Sequence, residues 1–124
     1  MPVALIVDDN DWNRKLVRDL LREAGFRTLE AATGVDAIAL ASEHAPNVVL
    51  MDLRLPDIGG ADAARRLGND ERTAAIPVVA LSALPLEGNE DWLRAAGFAG
   101  WIEKPIRVAT FAEQVREYCS DATR

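Results

Sequence analysis

Three aspartates, one serine and one lysine in this chain stand where metal and phosphoryl chemistry could be done. Asp8 and Asp9 follow the apolar run Val3-Ala-Leu-Ile-Val7, and Asp52 ends a second run, Asn47-Val-Val-Leu-Met51. Apolar, β-branched runs of this length, each followed by a plausible helix, read as buried strands of a parallel sheet. Open α/β sheets place their sites beyond the carboxyl ends of such strands. Carboxylates brought together there repel one another, so the cluster calls for a cation, a shared proton or a catalytic use. A hydrated Mg²⁺ is the simplest answer, because it takes near-octahedral oxygen coordination from carboxylates, waters and phosphate oxygens. Ser82 follows a fourth apolar run and Lys104 a fifth. A hydroxyl and an ammonium aimed at one carboxylate would bind the further oxygens of a phosphoryl group there. Each residue also has an ordinary use: Ser82 as a turn or helix cap, Lys104 in solvent, Asp8 and Asp9 as caps of the first helix. Their convergence on one rim favours the chemical reading.

The elements that would position these residues follow from periodicity and punctuation. A helix is expected from about Asp11 to Ala24, with Leu16, Leu20 and Ala24 on one stripe and Gly25 as its stop. Phe26 to Ala31 reads as a second strand. Gly34 to His44 reads as a helix whose Val35, Ile38 and Ala39 share a stripe. After the third strand, Pro56 and Gly59-Gly60 make a loop before a helix to about Leu67. Pro77 to Leu81 is a fourth strand, its proline tolerated at the strand start. Glu87 to Ala96 is helical and stopped by Gly97. Phe98 to Ile102 is a fifth strand, and Val108, Phe111, Val115 and Tyr118 mark the inner face of a last helix. This strand–helix alternation requires crossovers and predicts an α/β, doubly wound, parallel five-stranded sheet.

Gross composition bounds the function. A length of 124 residues suits one domain with a real core. A net charge of -6, with no basic face or tail, argues against direct nucleic-acid binding. The single cysteine, Cys119, cannot form an internal disulfide and suits a partly buried small hydrophobe. No signal-peptide pattern precedes the first strand, and no apolar stretch approaches the roughly 20 residues that cross a bilayer. A cytoplasmic protein without a membrane partner is expected. His44 suits a helix C-terminus in solvent, and no Gly-x-x-x-x-Gly-Lys phosphate loop is present.

At these residues the chain resembles the receiver domain of bacterial two-component response regulators. The matching features are Val7-Asp-Asp-Asn10, Met51-Asp-Leu-Arg-Leu-Pro56, Gly60, Leu81-Ser-Ala83 and Glu103-Lys-Pro-Ile106, in order and at the spacings one domain requires. Asp8-Asp-Asn-Asp11 and Leu53-Arg-Leu-Pro-Asp-Ile58 are most similar to the stand-alone cell-cycle and development type, with hybrid-kinase receivers nearly as close. The resemblance implies a (βα)5 flavodoxin-like fold of strand order 2-1-3-4-5. It implies one receiver domain over 1–124 with no effector domain.

Its implied roles transfer residue by residue. Asp52 would accept a phosphoryl group from a phosphohistidine on a histidine kinase or a histidine phosphotransfer protein. Asp8, Asp9, Asp52 and the backbone carbonyl of Arg54 would hold Mg²⁺, for which Mn²⁺ can substitute. Lys104 would pair with phosphoryl oxygens, and Ser82 would swing toward them. Trp101 stands at the position of the switch aromatic, where a smaller ring is commoner. Ala83 would leave room beside the phosphoryl group, and Arg54 and Leu84 would tune its lifetime. The Lys104-Pro105 bond would be cis. The signal would leave through the face of the fourth helix, fifth strand and fifth helix, to an unspecified protein target; Trp92 borders that face, packed locally or open to a partner. Such a chain is not a conventional turnover enzyme, although it catalyses its own aspartyl phosphorylation and dephosphorylation. Two other classes stay open at this point. One is a phosphorylation-independent binding module of the same fold. The other is a haloacid-dehalogenase-like phosphatase using Asp9-Asn-Asp11, which would require turnover that survives loss of Asp52.

Overall fold

The computed structural model describes residues 1–83 and 88–119. The three longest apolar runs form β1 (Val3–Val7), β3 (Val48–Asp52) and β4 (Val78–Ser82), in the middle of a five-stranded sheet edged by β2 (Arg27–Ala31) and β5 (Gly100–Glu103). All neighbours are parallel, in the order β2-β1-β3-β4-β5. Parallel neighbours need a crossover. Helices α1 (Asp11–Glu23), α2 (Gly34–His44), α3 (Gly60–Asn69) and α4 (Glu90–Ala95) supply it, and α5 (Phe111–Tyr118) follows β5. This is the expected flavodoxin-like (βα)5 arrangement.

The pleat sends alternate residues to opposite faces. Ala4, Ile6, Val48, Leu50, Val79 and Leu81 pack against Val17 and Leu21 of α1 and Phe111 and Val115 of α5. Leu5, Val7, Val49, Met51, Val78 and Ala80 turn to the other layer, where α2, α3 and α4 contribute Ala37, Ala41, Ala63, Ala64, Leu67 and Leu93. Both faces are covered, which is why the central strands read as unbroken apolar runs. The alanine-rich layer lets its helices lie close to the sheet. Among the described residues, no helix is long and apolar enough to cross a membrane.

The ends of the elements follow local chemistry. The Asn10 side chain caps α1 by accepting from the Asn13 N–H (3.0 Å), and the Thr33 hydroxyl caps α2 by accepting from Asp36 N–H (3.1 Å). Gly25 and Gly97 take positive φ, +96° and +102°, where α1 and α4 stop. The fifth strand begins two residues later than expected, because Phe98 still closes the exit of α4 by donating its N–H to Leu93 O (3.1 Å).

Three expectations about helix faces are corrected. In α1 the buried stripe is Val17 and Leu21; Leu20 and Ala24 are partly buried against the same layer, while Leu16 is 43% exposed. In α2 the buried positions are Gly34, Ala37 and Ala41; Ile38 is partly buried, but Val35 and Ala39 are exposed, because small residues face the sheet. Val108 is exposed and precedes α5, so Phe111, Val115 and Tyr118 carry that helix's inner contacts. The expected helix start at Glu87 lies outside the described residues, as does Leu84.

Candidate functional site

The carboxyl ends of β1, β3, β4 and β5 converge on one rim. Asp8 continues the sheet one step beyond β1, its N–H donating to Ala31 O at 3.1 Å, so its side chain enters the rim almost fully buried (2% exposed). Asp9 follows on the surface, and Asp52 is half-buried at the end of β3. One carboxylate oxygen from each of the three lies within 4.8 Å of the others. The sequence placed these acids together, and the structure does the same.

Lys104 enters from the far side, its backbone N–H held by Ser82 O at 2.8 Å and its bond to Pro105 cis. Its Nζ donates to Asp52 Oδ2 at 3.1 Å and Asp8 Oδ2 at 3.4 Å. The remaining oxygens are turned to backbone: Asp8 Oδ1 accepts from Asn10 N–H and Asp52 Oδ1 from Arg54 N–H, both at 2.9 Å. Burial pushes the Asp8 carboxyl above its ordinary range, against the pull of the Asn10 N–H and the Lys104 charge, and the nearby Asp52 adds to the rise. One ammonium among three acids leaves the cluster short of positive charge. Hard oxygen donors at this separation suit a divalent cation such as Mg²⁺.

Asp52, Leu53, Arg54, Ser82, Ala83 and Lys104 line a cleft of about 330 Å³. Ser82 is buried at the end of β4. Trp101 pairs with Ala80 across β4 and β5, so pleat and register put it on the same sheet face as Ser82, two positions back. Its ring is partly buried against the layer of α2, α3 and α4, with the Arg94 guanidinium 5.5 Å from the ring centre. Trp92 is 48% exposed.

The loop after Asp52 is fixed at both ends. Gly60 N–H donates to Leu53 O at 3.0 Å, and a Cβ at Gly60 would collide with the carbonyl oxygen of Asp52. Only glycine permits that approach. At the loop's tip, Asp57 accepts from the N–H groups of Gly34 and Val35, each at 2.9 Å, which holds its carboxyl below the ordinary carboxylate range. Sequence reasoning gave Asp57 no task, because its partners are 23 and 22 residues away. It also missed Arg14, whose guanidinium reaches back to the carbonyl of Asp8 at 2.8 Å. An arginine in the first turn after the acidic run was the available signal. Trp12 and Leu16 expose apolar surface on α1.

Residues 4–116 match the family model described as the response regulator receiver domain. Over 118 residues, 95% of this chain and 96% of the relative, the sequence is 40% identical to the polar-differentiation response regulator DivK of Brucella ovis. The receiver domain of a sensor histidine kinase from Pseudomonas aeruginosa, solved with a magnesium ion coordinated in its active-site cleft, superimposes with a TM-score of 0.85 at 29% identity, covering 94% of this chain and 96% of that one. The chemotaxis protein CheY4 of Vibrio cholerae shares the fold at 24% identity, with a TM-score of 0.88 over 95% and 98% of the two chains.

Proposed function

Because the chain belongs to the response regulator receiver family, phosphorylation-dependent signalling switches that catalyse their own phosphorylation and dephosphorylation, we propose that Asp52 is its phosphoacceptor. The observation that carries this assignment is the cleft. Asp52 is the one acid of the cluster on its wall, beside Lys104 and Ser82, whereas Asp8 is almost fully buried and lines the adjoining pocket, and Asp9 stands on the surface. Family membership makes a histidine kinase or histidine phosphotransfer protein the phosphoryl source.

In this reading Asp8, Asp9, Asp52 and the Arg54 carbonyl hold Mg²⁺, with Mn²⁺ able to replace it. When bound, the metal neutralises charge on the phosphoryl oxygens. The chain's own residues do the rest by position. An Asp52 carboxylate oxygen forms the new O–P bond as the P–N bond of the donor phosphohistidine breaks, and the electron pair leaves with the imidazole. Lys104, already 3.1 Å from Asp52, pairs with an equatorial oxygen without moving far. The Ser82 hydroxyl closes on another, and exposed Ala83 leaves the cleft open beside it. Arg54 is exposed at the cleft mouth and meets whatever water attacks the product. The output is a change of surface shape around α4, β5 and α5, read by a protein target.

Acetyl phosphate with Mg²⁺, followed by intact mass spectrometry, tests the assignment. The parent protein should gain one phosphoryl group and Asp52→Asn none. Asp8→Asn and Asp9→Asn should label at least tenfold more slowly at equal Mg²⁺, since each removes a first ligand. Full labelling of Asp52→Asn would take the acceptor role from Asp52. A parent that never labels, yet binds its target, would make the chain a phosphorylation-independent module.

A further inference from the structure

We propose that Arg14 is a positioning residue for the acidic loop: its guanidinium holds the backbone of Asp8 so that Asp8 and Asp9 present their carboxylates to the cation together. This rests on the reading of the cluster as a Mg²⁺ site. Arginine in the first turns of a surface helix ordinarily extends into solvent. Here the Arg14 side chain is only 18% exposed, and its fork serves three acceptors on three segments. Nη1 donates to Asp8 O at 2.8 Å, Nη2 pairs with the Asp11 carboxylate, and Nε lies 3.4 Å from Glu30 Oε1. Glu30 is itself held by Arg18 Nη1 at 3.2 Å. It sits on β2 opposite Ile6 of β1, two residues before Asp8.

The peptide groups flanking Asp8 are therefore gripped from both sides. Its N–H is taken by Ala31 of β2 and its carbonyl by Arg14 of α1. The Asp8 carboxylate then closes on Asn10 N–H, which fixes the turn that carries Asp9. Such a hold is needed because three acids in one place push the loop outward. A planar guanidinium can supply it in several directions at once, which a lysine ammonium on a flexible stem cannot reproduce. Outer partners that orient metal-binding groups commonly change metal affinity by an order of magnitude or more when removed.

A purely electrostatic role for Arg14 makes the opposite forecast. Taking a positive charge from beside a cation site strengthens cation binding, whereas releasing the loop weakens it. The sign decides. Mg²⁺ affinity of the full chain is measured by titration calorimetry, well below each variant's melting midpoint and with far-UV circular dichroism to verify folding. Arg14→Gln should bind Mg²⁺ about tenfold more weakly than the parent. Arg18→Gln removes the same charge from the same helix without touching Asp8, and should stay within about twofold of the parent or bind more tightly. Arg14→Lys keeps the charge and loses the fork; it too should bind more weakly, and it carries the test if the glutamine variant does not fold. At saturating Mg²⁺, labelling of Asp52 in the Arg14 variants should return to near the parent rate. Unchanged or tighter Mg²⁺ binding by the Arg14 variants overturns the proposal while leaving the metal site intact. A parent that takes up no Mg²⁺ overturns the metal reading, and this inference with it.

Discussion

Lys104 is the one cation within hydrogen-bond reach of the Asp8 and Asp52 carboxylates among the described residues, and its Nζ is divided between them at 3.4 and 3.1 Å. Its removal therefore has two consequences of opposite sign. Without a metal, Asp8 is left almost fully buried beside two like charges, and the fold loses stability. A fully buried pair costs about 3–5 kcal/mol when one partner is deleted; with the lysine side chain one-fifth exposed, about 2 kcal/mol is expected for Lys104→Met. With a metal, the same deletion removes a repulsive neighbour, so Mg²⁺ binds more tightly and stabilises by mass action. Thermal unfolding with and without Mg²⁺ should show a lower midpoint for metal-free Lys104→Met and a larger Mg²⁺-induced rise than in the parent. An equal or smaller rise would mean that Lys104 does not compete for the charge of the cluster. The residues of this site were legible because each ends an apolar run, and the ends of parallel strands must meet. Arg14 and Asp57 were not, because their work is done on backbone groups of other elements, which no side-chain spacing encodes.

Elements were legible to within a few residues; their rotation was not. In α1, positions 16 and 20 have the same spacing as 17 and 21, so periodicity alone does not choose between them; the sheet buried Val17 and Leu21, kept Leu20 at the edge of the same layer and left Leu16 outside. In α2 the larger Val35 was the obvious core candidate, yet close approach to the sheet selected Ala37 and Ala41 instead. That close-packed element is tied to the loop of the site by Asp57, which caps its first N–H groups from outside. The Gly34 N–H, and then that of Val35, lower the Asp57 carboxyl, so its contribution to stability is present above the ordinary carboxylate value. It is lost as pH falls through the folded-state value. Asp57→Asn should therefore melt lower than the parent at neutral pH, and the difference should shrink as pH falls below the ordinary carboxylate range. A gap that stays constant across an acid series of melts would show that the carboxylate charge is not what ties α2 to the loop.

At the scale of the molecule, a sheet covered on both faces leaves little freedom except at its rim, so in the proposed assignment a phosphoryl group at Asp52 acts through the ends of β4 and β5. Ser82 and Trp101 share one sheet face there, and Arg94 of α4 lies over the Trp101 ring, which joins the strand pair to the helix beside it. In the proposed assignment, drawing the Ser82 hydroxyl toward the phosphoryl group vacates space on that face, and the Trp101 ring and α4 shift in population toward a second packing. Beryllofluoride with Mg²⁺, a phosphoryl mimic, should then change tryptophan emission. Trp101→Phe should abolish most of that change while Asp52 still takes up phosphoryl groups, because chemistry and read-out lie on separate strands. Trp12 is 80% exposed on α1 and Trp92 48% exposed on α4, so Trp12→Phe and Trp92→Phe separate their signals from that of Trp101. Ser82→Ala is the sharper variant. It leaves the acids and Lys104 in place, so labelling persists, but the mimic no longer has a hydroxyl to draw in, and the Trp101 response should fall by at least half. A full emission change in Ser82→Ala would leave Asp52 as the acceptor and move the coupling from β4 to the loop that follows Asp52.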